Sequence, residues 1–167
     1  MIPEYLESYG RLARDHVAHW RATGSNPFIP DADADQFTEA TVEALRRHVP
    51  AGSVVLDAGC GMGTVLARTP EYERHGVDIA REYLEIANER GLNAVYGEIG
   101  AMPYADATFD AVLALDVLEH VFDLYCTTRE LLRVLRPGGV LIARSPDCED
   151  MAGYVNYTLY YSHVRRL

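Results

Sequence analysis

The sequence predicts an α/β fold built on a doubly wound, mainly parallel sheet, and three observations predict it. From Gly52 onward short apolar runs alternate with segments of helical period. The first run, VVLDA at 54–58, passes directly into the glycine-rich turn GCGMG. Later runs end on acids, as in GVDIA at 76–80 and LALDVLEH at 113–120. Right-handed β-α-β crossovers turn such an order into a parallel sheet, and ligands of these sheets bind beyond the carboxyl ends of the strands.

Each element can be justified in chain order. Residues 2–20 place Ile2, Tyr5, Leu6, Tyr9, Leu12, Val17 and Trp20 at helical spacing, and Gly24, Pro27 and Pro30 then break the pattern. A second helix spans 33–49, with Phe37, Val42, Leu45 and Val49 on one face and Pro50 and Gly52 at its end. A buried strand follows at 53–58, then a helix at 62–68 that Pro70 stops. A second strand spans 74–79, and a helix spans 81–90 with Gly91 as its C-terminal cap. Strands are expected at 93–96 and 109–115, an amphipathic helix at 124–135, a turn at Pro137-Gly138-Gly139 and a fifth strand at 140–145. Nothing after residue 147 reads as a strand, which leaves 140–145 as an apolar edge with unpaired backbone.

Bulk properties narrow the partners. The 167 residues suit one compact unit, with 1–50 as an N-terminal helical lid and 51–167 as the ligand-binding domain. The formal net charge of −10 repels nucleic-acid phosphate and anionic membrane, so a neutral or cationic small molecule is the expected partner. Cys60, Cys126 and Cys148 form no CxxC pair, which indicates neither a disulfide framework nor a zinc site. The N-terminus has no signal-peptide pattern and no apolar run approaches the roughly 20 residues that span a bilayer, so the expected setting is cytoplasmic.

Candidate binding residues stand just past the strands. Asp57, immediately before the glycines, would repel a pyrophosphate but suits a cationic ammonium; the alternative is a cap of a tight turn. Asp78 lies about 20 residues past the glycine loop, where an acid accepts ribose hydroxyls, although it also stands where it could cap the next helix. Glu98 can accept from an exocyclic amine, and Ile99 can pack on an aromatic base. Asp116, Glu119 and His120 are too thin a set for a metal site, so no metal is expected. His120 reads as a base, a pocket wall or a hydrogen-bonded histidine at a helix start.

Together VVLDAGCGMG, GVDIA, GEIGAMPYADATFDAVLALDVLEHV and ELLRVLRPGGVLIARSPD resemble class I S-adenosylmethionine-dependent methyltransferases, closest to the small-molecule type related to quinone-biosynthesis methyltransferases. The resemblance covers about residues 53–147. It implies a Rossmann-like fold, S-adenosylmethionine as cofactor and methyl transfer to a small-molecule acceptor by in-line displacement. It also implies that Asp57, Ala58 and the Gly59-Cys60-Gly61 backbone hold the methionine part, with Asp78 on the ribose and Ile79 against the adenine. Glu98 would meet the adenine amine and Ile99 the ring, Glu98 standing where the family more often has aspartate. Leu115 would offer backbone to the methionine part, and Asp116 would face the same cleft.

A general base is needed only if the acceptor must lose a proton, and His120, His163 and Asp147 are the candidates. Tyr9, His16, Trp20 and Phe28 suit a lid or plain core packing; Tyr154, Tyr157 and Tyr161 suit a pocket wall or an amphipathic helix. Such enzymes continue through a sixth strand and an antiparallel seventh. The expectation is therefore a truncated chain, lacking part of the acceptor pocket, or a homodimer that covers the exposed edge. Two other readings stay open: a catalytically silent, methyltransferase-like binding subunit, and a nicotinamide-dependent oxidoreductase. The second calls for GxGxxG and no acid before the glycines.

Overall fold

The computed structural model describes residues 3–28 and 30–145. His163, Asp147, Cys148 and the tyrosines at 154, 157 and 161 lie outside them. Helices α1 (Pro3–Thr23) and α2 (Asp31–His48) precede an alternating series: β1 (Val54–Ala58), β2 (Glu73–Asp78), α3 (Arg81–Glu89), β3 (Asn93–Tyr96), β4 (Phe109–Leu115), α4 (Leu124–Val134) and β5 (Leu135–Arg144). The five strands form one sheet of order β3-β2-β1-β4-β5, parallel at every pairing. The chain runs outward from β1 in one direction, then returns to place β4 on its other side. That reversal opens a crevice above the carboxyl ends of β1 and β4.

The central strands β1 and β4 are apolar apart from Asp57 and Asp110 and are almost wholly buried, because both faces of the sheet are covered there. Successive side chains of a strand point to opposite faces. Val55, Ala111 and Leu113 accordingly pack in one core with Val42, Leu45 and Val49 near and on α2. Leu56, Val112 and Ala114 pack in the other with Leu131 and Val134 of α4 and with Phe109. A third cluster joins Ala13 and Val17 of α1 to Tyr83 and Ile86 of α3. Helix α4 starts on an N-cap, the Asp123 carboxylate accepting from the Cys126 N–H at 2.9 Å.

Two expectations are corrected. The helix read at 62–68 is a single 3-10 turn at Leu66–Arg68, because Gly61 and Gly63 take positive φ (50° and 70°) and no α-helix propagates through such backbone. The Pro137-Gly138-Gly139 segment is not a turn preceding the last strand. It lies within β5, which pairs from Leu135 and absorbs the extra residues as a register shift between Phe109 and Ala111. Among the described residues β5 pairs only with β4, so it forms the expected edge.

Candidate functional site

A cleft of about 330 Å³ opens at the carboxyl ends of the strands. Gly59 follows β1, Asp78 ends β2 and Ile79 follows it, Glu98 and Ile99 follow β3, and Asp116 and His120 follow β4; all of them line it. Tyr5 and Tyr9 of α1 close one side. Asp57, Ala58, Cys60, Gly61 and Leu115 are not among its lining residues.

The glycine turn is held by its own backbone. Gly59 and Cys60 donate N–H bonds to the Val77 carbonyl at 2.8 and 3.1 Å, and Gly61 donates to Asp78 Oδ2 at 2.9 Å. Asp78 Oδ1 accepts from the Ala80 N–H at 2.8 Å. Asp78 therefore lines the cleft and ties the glycine turn to Ala80, but it does not cap α3, whose N-cap residue is Ala80 with no side-chain cap bond. Gly59 is required by contact as well as by φ (85°): a Cβ there would stand 2.6 Å from Val117 Cγ2.

Burial dominates the electrostatics. Asp57 is 3% exposed, and its Oδ1 has no hydrogen-bond partner among the described residues. Desolvation, then the neighbouring Asp78 charge, push its carboxyl up to about 7, with Arg144 pulling the other way. Desolvation raises Asp78 to about 6 against the N–H groups of Ala80, Gly61 and Ile79 that favour its carboxylate. Asp116 sits at φ 51° and receives Arg144 from β5, whose guanidinium also donates to the Phe37 carbonyl and Thr41 hydroxyl of α2. A single arginine thus fastens the β4 loop to the end of β5 and to α2.

Of the four residues offered as lid or core, Tyr9 lines the cleft. His16, Trp20 and Phe28 do not. His16 Nδ1 meets the Tyr83 hydroxyl at 2.9 Å and its ring packs edge-on against Phe28, while Trp20 carries Arg90 over its face at 4.8 Å. Sequence reasoning missed Tyr5 as a cleft residue, although its i, i+4 relation to Tyr9 puts both on one helix face. It also missed Phe122, which stacks edge-on with Tyr5 at 5.2 Å, and Arg144, for which the sequence carries no signal.

Residues 56–143, more than half of the chain, match the family described as Methyltransferase domain. The chain is 36% identical over 84% of its length to methyltransferase GfsG of Streptomyces halstedii, of which it covers 55%. It is 34% identical over 66% of its length to the 27-O-demethylrifamycin SV methyltransferase of Amycolatopsis mediterranei, of which it covers 45%. It thus spans about half the length of the curated relatives it matches. Among solved structures, the YcgJ protein of Bacillus subtilis superposes with a TM-score of 0.66 at 27% identity, over 77% of this chain and 61% of that one.

Proposed function

This chain belongs to the methyltransferase-domain family, and on that premise we propose that it transfers the methyl group of S-adenosylmethionine to a small-molecule acceptor. The observation that carries the reading is the buried Asp57 carboxylate. Its orphan Oδ1 lies behind a glycine turn, and the acids of the next two strand ends, Asp78 and Glu98, line one cleft with that turn. An unpaired buried carboxylate costs free energy unless a cation or donor meets it. An α-ammonium supplies both. A pyrophosphate-bearing cofactor would worsen the charge, which disfavours the nicotinamide reading.

In this assignment Asp57 and the Gly59–Gly61 turn hold the amino-acid part, and Asp78 accepts from the ribose hydroxyls. Glu98 accepts from the adenine amine, with Ile79 and Ile99 against the ring. When bound, S-adenosylmethionine supplies an already activated sulfonium methyl. The protein's contribution is then to orient the acceptor for in-line attack and to exclude water. Tyr5 and Tyr9 supply the apolar side wall for that exclusion. The rifamycin relative has an oxygen acceptor in its name, and an acceptor hydroxyl is the reading adopted for this chain.

Calorimetric titration with S-adenosylmethionine and S-adenosylhomocysteine tests the assignment. Heat of binding with both is expected, and no heat with either would overturn it. Asp78→Ala is expected to weaken binding more than tenfold; an unchanged affinity would remove Asp78 from the site.

A further inference from the structure

The cleft has two ends of different chemistry. Asp78, Ile79, Glu98 and Ile99 occupy the β2 and β3 end, which the proposed function gives to the nucleoside. The opposite end is built from the loop after β4, including the short turn Leu118–His120, and is faced by Tyr5. The β4 loop is fixed from both sides: the Tyr5 hydroxyl donates to the His120 carbonyl at 3.4 Å, and Asp116 N–H donates to the Arg144 carbonyl at 2.8 Å. His120 lines the cleft. Glu119, one residue earlier, turns into the protein and is 2% exposed.

The Glu119 carboxylate meets its own backbone N–H. Its Oε2 accepts a long bond from the Ser145 hydroxyl at 3.4 Å, and its Oε1, fully enclosed, has no hydrogen-bond partner among the described residues. That same Oε1 is 3.8 Å from His120 Nε2. A carboxylate behind an imidazole that faces a cleft is the arrangement by which a histidine base is oriented and its protonated form stabilised.

We propose that Glu119 and His120 act as a proton-accepting pair at the acceptor end of the cleft, His120 taking the proton of a hydroxyl acceptor and Glu119 positioning that imidazole from behind. This rests on the methyl-transfer reading and narrows it to acceptors that carry a proton on the reacting oxygen. The step balances. The acceptor oxygen bonds to the methyl carbon, and the carbon–sulfur bond breaks with its electron pair left on sulfur. The hydroxyl proton passes to His120, and the imidazolium so formed lies against the Glu119 carboxylate until it returns the proton to solvent. The other groups facing Glu119 are Tyr5 from α1, Asp116 from the β4 loop, and Arg144 and Ser145 from the end of β5. Burial, the largest cause, raises the Glu119 carboxyl to about 7.

The test is a pH titration of the ring nitrogens of His120 in the ligand-free full chain, by nuclear magnetic resonance with ¹⁵N-histidine, assigned through His120→Gln. Glu119→Gln is expected to lower the His120 midpoint by about one pH unit, because the imidazolium loses its counter-charge, and Glu119→Asp to restore part of the shift. An unchanged midpoint in Glu119→Gln would overturn the pair. If Glu119→Gln does not fold, the Glu119 carboxyl carbon is titrated instead in wild type and His120→Gln. Removing the imidazolium should raise the carboxyl midpoint, and no movement would again overturn the pair. Neither titration involves the methyl donor, so a negative result here is distinguishable from failure of S-adenosylmethionine to bind.

Discussion

Three buried carboxyls set how this protein responds to pH. Asp57 and Glu119 are pushed up to about 7 and Asp78 to about 6, in each case chiefly by desolvation. Their unfolded values lie near 4, so between about 4 and 7 the folded state binds more protons than the unfolded one. Stability from these groups is present in full below about pH 4 and is lost as pH rises through 6 to 7. Carboxylates held low by arginine or backbone partners, such as Glu130 beside Arg133, act oppositely, but only in the more acidic range below their unfolded values. The melting temperature of the ligand-free protein should therefore fall between pH 5 and pH 8, and Asp57→Asn should flatten the fall. A flat wild-type curve would mean that these carboxyls ionise as if exposed. A cation arriving beside Asp57 favours its carboxylate, so donor binding near pH 7 should release protons. Calorimetry in two buffers of different ionisation heat reads this release as a buffer-dependent binding enthalpy.

At the scale of elements, the glycine turn shows a local pattern overruled by backbone. Met62, Val65 and Leu66 have helical spacing, yet the segment forms only one 3-10 turn because Gly61 and Gly63 occupy left-handed backbone. Gly63 fits there because a Cβ would meet Leu92 Cδ2 at 2.9 Å. Gly59→Ala should destabilise the protein by roughly 1–3 kcal/mol from its positive φ, with the Val117 contact adding to it. Val117→Ala in the same chain should recover only the contact portion. Urea unfolding of the single and double variants separates the two, and full recovery in the double variant would remove the φ argument. Strand β5 carries the opposite lesson. The sequence signal begins at Val140, but pairing begins at Leu135, because Phe109 is free to bond there once the Pro137-Gly138-Gly139 segment is bulged out.

For the molecule as a whole, stability rests on two cores that share one sheet. Phe109 at the start of β4 is fully buried and packs edge-on with Tyr104 at 4.9 Å and His75 at 5.5 Å. Phe109→Ala should cost about 3–5 kcal/mol, read as a lower urea midpoint at unchanged slope. A loss below about 1 kcal/mol would show that the second core collapses around the gap. The cleft depends on the same assembly: α1 supplies Tyr5 and Tyr9, the strand ends supply the acids, and Arg144 ties Asp116 to α2. Arg144 stands at the end of the edge strand.

The order of the five strands, and the acids that stand at or just past the carboxyl ends of β1, β2 and β4, are determined by the sequence alone. Burial period and turn chemistry act over a few residues, and a strand end is marked by where its apolar run stops. For that reason Asp78, Glu98 and Asp116 are legible in the sequence as acids at the carboxyl ends of strands, and the three line one cleft. Tertiary structure alone decided which side chains meet across long stretches of chain. Tyr5 reaches the His120 carbonyl from 115 residues away, and Glu119 lies enclosed beside His120 although both follow the same strand. Enclosure and orphaned atoms are created by elements distant in sequence. VVLDAGCGMG could therefore place a carboxylate before a glycine turn, but only the folded sheet leaves the Asp57 oxygen buried and without a partner among the described residues.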